Sequence, residues 1–155
     1  MIQRIQSLYL LVSATLVTVA TFFNFAIFSF NKFEIIFSPY AITASVPEVF
    51  ETQTMLSLSV SMWLMAAFSI GAIFAYKNRK LQMNIIRYVC LFKVALIVFV
   101  AFFVHRLATG FPIDLIYMQL NASTLLFVIS IITDILAFFA IRKDEKLVRS
   151  IDRIR

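Results

Sequence analysis

Four long apolar stretches without a proline dominate this chain: residues 8–30, 55–76, 85–104 and 120–141. A helix needs about 20 such residues to cross the hydrocarbon core of a bilayer. In hydrocarbon the backbone must satisfy its own hydrogen bonds, so runs of this length are expected to be helices. Hydrophobic residues make up 62% of the 155 positions, against roughly 45–50% in ordinary globular chains. A soluble domain of this size has too little interior to hide that much apolar surface. An ordinary soluble protein, a disordered chain and a disulfide scaffold are therefore excluded. The expected fold is an all-α membrane protein, a single domain over residues 1–155 with four transmembrane helices in up-down order.

The first stretch exceeds the roughly 7–15-residue core of a secretory signal, and Thr18-Val19-Ala20 is a poor cleavage site. It is expected to remain as a span. Orientation follows from the basic residues, which favour the cytoplasmic side. One side would carry Arg4, Lys77, Arg79, Lys80, Arg87, Arg142, Lys143, Lys146, Arg149, Arg153 and Arg155, eleven in all, and the other only Lys32 and Arg106. Both termini are thus expected in the cytoplasm, and residues 31–54 and 105–119 outside. The first outer segment is rich in aromatic and β-branched residues from Phe33 to Phe50, punctuated by Pro39 and Pro47, which suits short strands in a small hairpin or cap. The second holds a Gly110-Phe111-Pro112 turn signal and is expected to form a turn or an interfacial helical turn.

Three charged motifs are distinctive as a set: Met1-Ile2-Gln3-Arg4-Ile5-Gln6-Ser7-Leu8-Tyr9-Leu10, Tyr76-Lys77-Asn78-Arg79-Lys80-Leu81-Gln82, and Lys143-Asp144-Glu145-Lys146-Leu147-Val148-Arg149-Ser150 with Asp152-Arg153. In order and length the chain resembles an uncharacterised bacterial family of four-span inner-membrane proteins, the domain of unknown function DUF4293. The resemblance implies four helices with both termini inside, and it implies no reaction.

Lys93 and Asp134 are the charges nearest the middle of any span. Such groups are costly in hydrocarbon and mark function by default. At a rise of 1.5 Å per residue, both lie roughly 10–12 Å from the same side, so antiparallel neighbours bring them together. A structural ion pair is the stronger reading, because a proton relay needs a chain of ionisable groups. His105 beside Arg106 is read as an interfacial residue rather than a proton carrier. Asn24 is a candidate for bonding another helix. Ala67, Gly71 and Ala75 recur every four residues in the second span; such spacing lets helix backbones approach, and an internal bundle contact is expected there ahead of the alternative, a partner face.

Residues 142–155 read as a basic amphipathic helix. Leu147, Val148, Ile151 and Ile154 share one face, with Arg149 and Arg153 among the charges. It would lie on an anionic membrane surface or dock a partner.

No catalytic set emerges. The serines lack a histidine–acid partnership, no acid pair suits glycosyl chemistry, and the two glycines form no phosphate loop. Cys90 is the lone cysteine, which excludes an intrachain disulfide. With one histidine and one cysteine, a four-ligand zinc site is not expected, nor is any cofactor. The net charge of +6 is explained by membrane orientation, so no nucleic-acid partner is expected. The expected partners are the lipid bilayer and other membrane subunits. The function these features favour is a non-catalytic scaffold or accessory subunit; the alternative is a small transporter or ion-handling protein working through Lys93 and Asp134.

Overall fold

Helix formation follows the apolar stretches, with ends set by local chemistry. The computed structural model describes residues 2–30, 33–46, 48, 51–110 and 115–152, and their side chains except at 2–4, 107–108, 110, 115–116 and 149–152. It contains α1 (Ile2–Ala20), α2 (Leu56–Phe74), α3 (Arg79–Gly110) and α4 (Ala122–Asp152). A single 3-10 turn, Ala75–Lys77, ends α2. Asn78 then opens α3, its side-chain Oδ1 accepting the Leu81 N–H at 3.1 Å, which satisfies one of the orphan donors of the first turn. Three helices are long and apolar enough to cross a membrane, and α1 contributes a shorter apolar segment, Ile5–Ala20. The 32 residues of α3 and 31 of α4 reach about 46–48 Å, well beyond a hydrocarbon core of about 30 Å. The segment expected as a separate tail continues α4 without a break as far as Asp152.

The expectation of a helix over residues 8–30 is corrected. The helix stops at Ala20, the chain turns through Thr21–Phe25, and Ala26–Phe30 forms a strand, β1. Phe22, Phe23, Asn24 and Phe25 are all mediocre helix formers, and the rest of the chain offers them other partners. The Phe25 N–H donates to the Phe37 carbonyl at 2.8 Å, and the Asn121 N–H donates to the Phe25 carbonyl at 3.0 Å. An unbroken apolar run does not by its periodicity distinguish a buried helix from a buried strand.

The all-α expectation is corrected with it. A five-stranded sheet is formed by β1, β2 (Glu34–Phe37), β3 (Ala41–Ala44), β4 (Gln53–Thr54) and β5 (Leu115–Leu120), in the order β4-β3-β2-β1-β5. Every pairing is antiparallel. Ser38 closes the β2–β3 turn, its hydroxyl donating to the Ala41 carbonyl at 2.6 Å and accepting the Ala41 N–H at 3.0 Å. Of the segment expected outside at 105–119, residues 105–110 continue α3 and residues 115–119 belong to β5; the expected turn at Phe111-Pro112 lies outside the described residues. Since α1 and α3 end at this sheet and α2 and α4 begin at it, the sheet caps one end of the bundle. Its inner face, with Phe28, Ile35, Phe37 and Ile42, is buried in one cluster with Leu58 and Met62 of α2, Leu96 and Val100 of α3, and Phe127 of α4.

The helices pack through a regular seam. Buried positions alternate by four and three residues: Gln6, Leu10, Ser13, Val17 and Ala20 in α1; Leu58, Met62, Met65, Ser69 and Ala72 in α2; Gln82, Ile86, Val89, Lys93, Leu96 and Val100 in α3; Ser123, Phe127, Ser130, Asp134, Ala137, Ile141 and Asp144 in α4. This is the spacing of left-handed helical bundles. The opposite faces are apolar but exposed, with Phe68, Phe74, Tyr88, Val98, Phe102, Leu125 and Phe139 each more than half accessible. A soluble monomer rarely shows so much contiguous apolar surface, and hydrocarbon is the solvent that suits it.

Candidate functional site

Three helices converge on one buried cation. Lys93 of α3 and Asp134 of α4 are both fully buried, with Lys93 Nζ 2.6 Å from Asp134 Oδ2. Lys93 Nζ also donates to Ser13 Oγ of α1 at 2.7 Å, and Ser13 Oγ donates to the Ser130 carbonyl of α4 at 3.2 Å. The serine hydroxyl thus accepts from the ammonium and passes a hydrogen bond on, as a hydroxyl can. All of these residues occupy seam positions, so the helix packing itself aims them at one another.

Pairing offsets part of a large desolvation cost. Each charge removed from water costs several kcal/mol, and mutual attraction repays this only with good geometry and further hydrogen bonds. Lys93 has both. Asp134 is less complete, because its Oδ1 is buried and has no hydrogen-bond partner among the described residues. Asp134 lines a groove of about 300 Å³ between α3 and α4, together with Cys90, Arg87 and Phe138. Arg87 lies over the Phe138 ring, 5.9 Å from its centre. The arrangement can hold a fixed charge pair, with one buried carboxylate oxygen left without a donor among the described residues.

The family model for the domain of unknown function DUF4293 matches residues 2–154. The chain belongs to the DUF4293 family. No curated protein matches it.

Other candidate residues of this DUF4293 chain lie elsewhere. Ala67 and Gly71 are exposed and Ala75 is half-buried, and a Cβ built on Gly71 meets nothing within 4 Å. The expected internal contact through this stripe is therefore corrected. The buried face of α2 carries Leu58, Met62 and Met65 toward the sheet and the small residues Ala66, Ser69 and Ala72 beyond them, a different set from the stripe. His105 and Arg106 are exposed near the end of α3. His105 lines an apolar cleft of about 440 Å³ under the sheet, with Phe25, Met118 and Phe127. Asn24 is half-buried in the turn after α1. Leu147 and Val148 are exposed on α4. The side chains of Arg149 and Ile151, and all of Arg153 and Ile154, lie outside the described residues.

Sequence reasoning missed the serine partners of Lys93 and a second polar contact, from the Gln6 side-chain amide to the Asp144 carboxylate, both residues being buried. A third ties the same two helices together, where Ser123 Oγ donates to the Ala20 carbonyl at 2.7 Å. Residues 6, 13 and 20 of α1 and 123, 130, 137 and 144 of α4 are spaced by sevens. That heptad of small and polar residues was the available signal.

Proposed function

We propose that this chain is a non-catalytic, four-span protein of the bacterial inner membrane that acts as a structural or accessory subunit of a larger membrane assembly. Both termini are cytoplasmic and the sheet lies on the far side. The observation that carries the reading is the closure of the Lys93–Asp134–Ser13 cluster within three helices, which gives the buried charges a structural task. The exposed faces of α2, α3 and α4 remain for lipid and neighbouring subunits, and the basic end of α4 extends past the bilayer core. Reporter fusions after Arg79 should give a cytoplasmic signal, and fusions near Ser45 an external one; a cytoplasmic signal at Ser45 overturns the topology. Co-purification after mild solubilisation, read by mass spectrometry, should recover a stoichiometric membrane complex. A chain that migrates alone under every mild condition counts against the subunit role.

A second reading is favoured by the buried Asp134 Oδ1, which has no partner among the described residues, on a residue that also lines a groove. Such a carboxylate suits a small proton- or ion-handling protein. Flux through proteoliposomes of the isolated chain, abolished in Asp134→Asn, would establish it in place of the first.

A further inference from the structure

Along the hairpin of α2 and α3, the chemistry follows the order found in a phospholipid. Lys77, Arg79 and Lys80 stand at the turn, with Glu145 as the acid lining the same surface. Lys77 and Lys80 are exposed. The N-terminal end of the 32-residue α3 lies at this turn and adds partial positive charge from its peptide dipoles. Beside the cations is Tyr76, half exposed, an amphipathic ring of the kind enriched at membrane–water boundaries. Deeper along both helices, a groove of about 660 Å³ is lined by Leu64 and Phe68 of α2 and by Ile85, Tyr88, Leu91 and Phe92 of α3. No charged residue lines it. From Lys80 the groove residues of α3 extend five to fifteen positions along the helix, or about 8–22 Å. An acyl chain covers such a distance.

We propose that this hairpin binds one anionic phospholipid, with its phosphate on Lys77 and Lys80 at the start of α3 and an acyl chain between Phe68, Tyr88 and Phe92. Charge complementarity selects the occupant. Basic pockets at the ends of membrane helices take acidic headgroups, whereas a partner helix would fill the groove without using the cations. A soluble polyanion would use the cations without the groove. The assignment rests on the membrane reading given above.

The test is the thermal midpoint of the purified full chain in neutral detergent, titrated with phosphatidylglycerol, with phosphatidylcholine of the same chains, and with inorganic phosphate. Phosphatidylglycerol should raise the midpoint at concentrations where the other two do not. Replacing both lysines (K77Q/K80Q) should weaken the apparent affinity roughly 25-fold, about fivefold per charge. Leu64→Trp, which fills the groove from an exposed position, should weaken it as well. The control R106Q should stay within about twofold, since that exposed charge lies near the opposite end of the 32-residue α3. Equal effects of the two lipids, an equal effect of inorganic phosphate, or an equal loss in the Arg106 control would each overturn the site. Alkaline extraction of membranes separates the two levels. A chain released from the membrane ends the membrane reading, and a chain retained there with a flat phosphatidylglycerol titration ends only the lipid site.

Discussion

Small residues at helical spacing occur on two surfaces of this bundle, with opposite fates. In the α1–α4 interface Ser13, Ala20, Ser123, Ser130 and Ala137 are buried. On α2 the equally regular Ala67 and Gly71 face outward. The buried set carries hydrogen-bonding groups with partners across the interface, Gln6 to Asp144, Ser13 to Ser130 and Ser123 to Ala20, while Lys93 of α3 donates to Ser13 from the side. The exposed set has none. A small side chain permits two backbones to approach, but in an apolar medium it supplies little reason to. Partnered polar groups supply that reason and also fix the register.

The largest expected effect comes from breaking the buried set at its charge. Lys93→Met or Asp134→Asn alone should cost about 3–5 kcal/mol in detergent unfolding, because each strands a buried partner. The double variant should recover part of the loss; strictly additive losses would count against direct pairing. Next, Gln6→Leu leaves the buried Asp144 carboxylate without its amide donor and should cost about 1–3 kcal/mol. A loss confined to a few tenths would mean that water serves Asp144 as well as the amide does. Ser130→Leu overpacks the same interface, again at about 1–3 kcal/mol, and its unfolding midpoint should fall in step. Smallest is Gly71→Ala, which meets open space and should leave stability unchanged or raise it by up to about 1 kcal/mol through helix propensity. A destabilised complex in cells, with the isolated chain unaffected, would show that a partner covers the outward stripe.

The same contrast explains how much could be read from the residues. Lys93 and Asp134 were legible because charges are rare in apolar runs and their depths matched. Ser13 and Ser130 were not, since the chain has many serines and only the three-dimensional seam selects these two. The four-and-three alternation lay in the sequence, but bulky apolar residues on the outer faces hide it: where the surroundings are apolar, hydrophobicity does not distinguish inside from outside. The stripe at Ala67, Gly71 and Ala75 was misplaced for that reason. The sheet was legible in part. Residues 34–44 carry a strand-like pattern, whereas β1 is buried along nearly its whole length and reads as the end of a helix. The pairing of β5 with β1 joins residues about 90 apart, a contact that no local pattern announces.

That last pairing sets a timetable for synthesis. β1 takes β2 as a neighbour within a few residues, but its other edge is filled only by Leu115–Leu120. Similarly, α1 meets α4, its polar partner, only when the final fifth of the chain arrives. Until then a nascent chain holds an open strand edge and a serine-bearing α1 that lacks its α4 neighbour, the kind of exposure that invites wrong pairings. A chain interrupted before residue 115 should therefore be an early target for membrane proteases, even with α1, α2 and α3 already made. The N-terminal half is held in waiting, and the C-terminal quarter closes it.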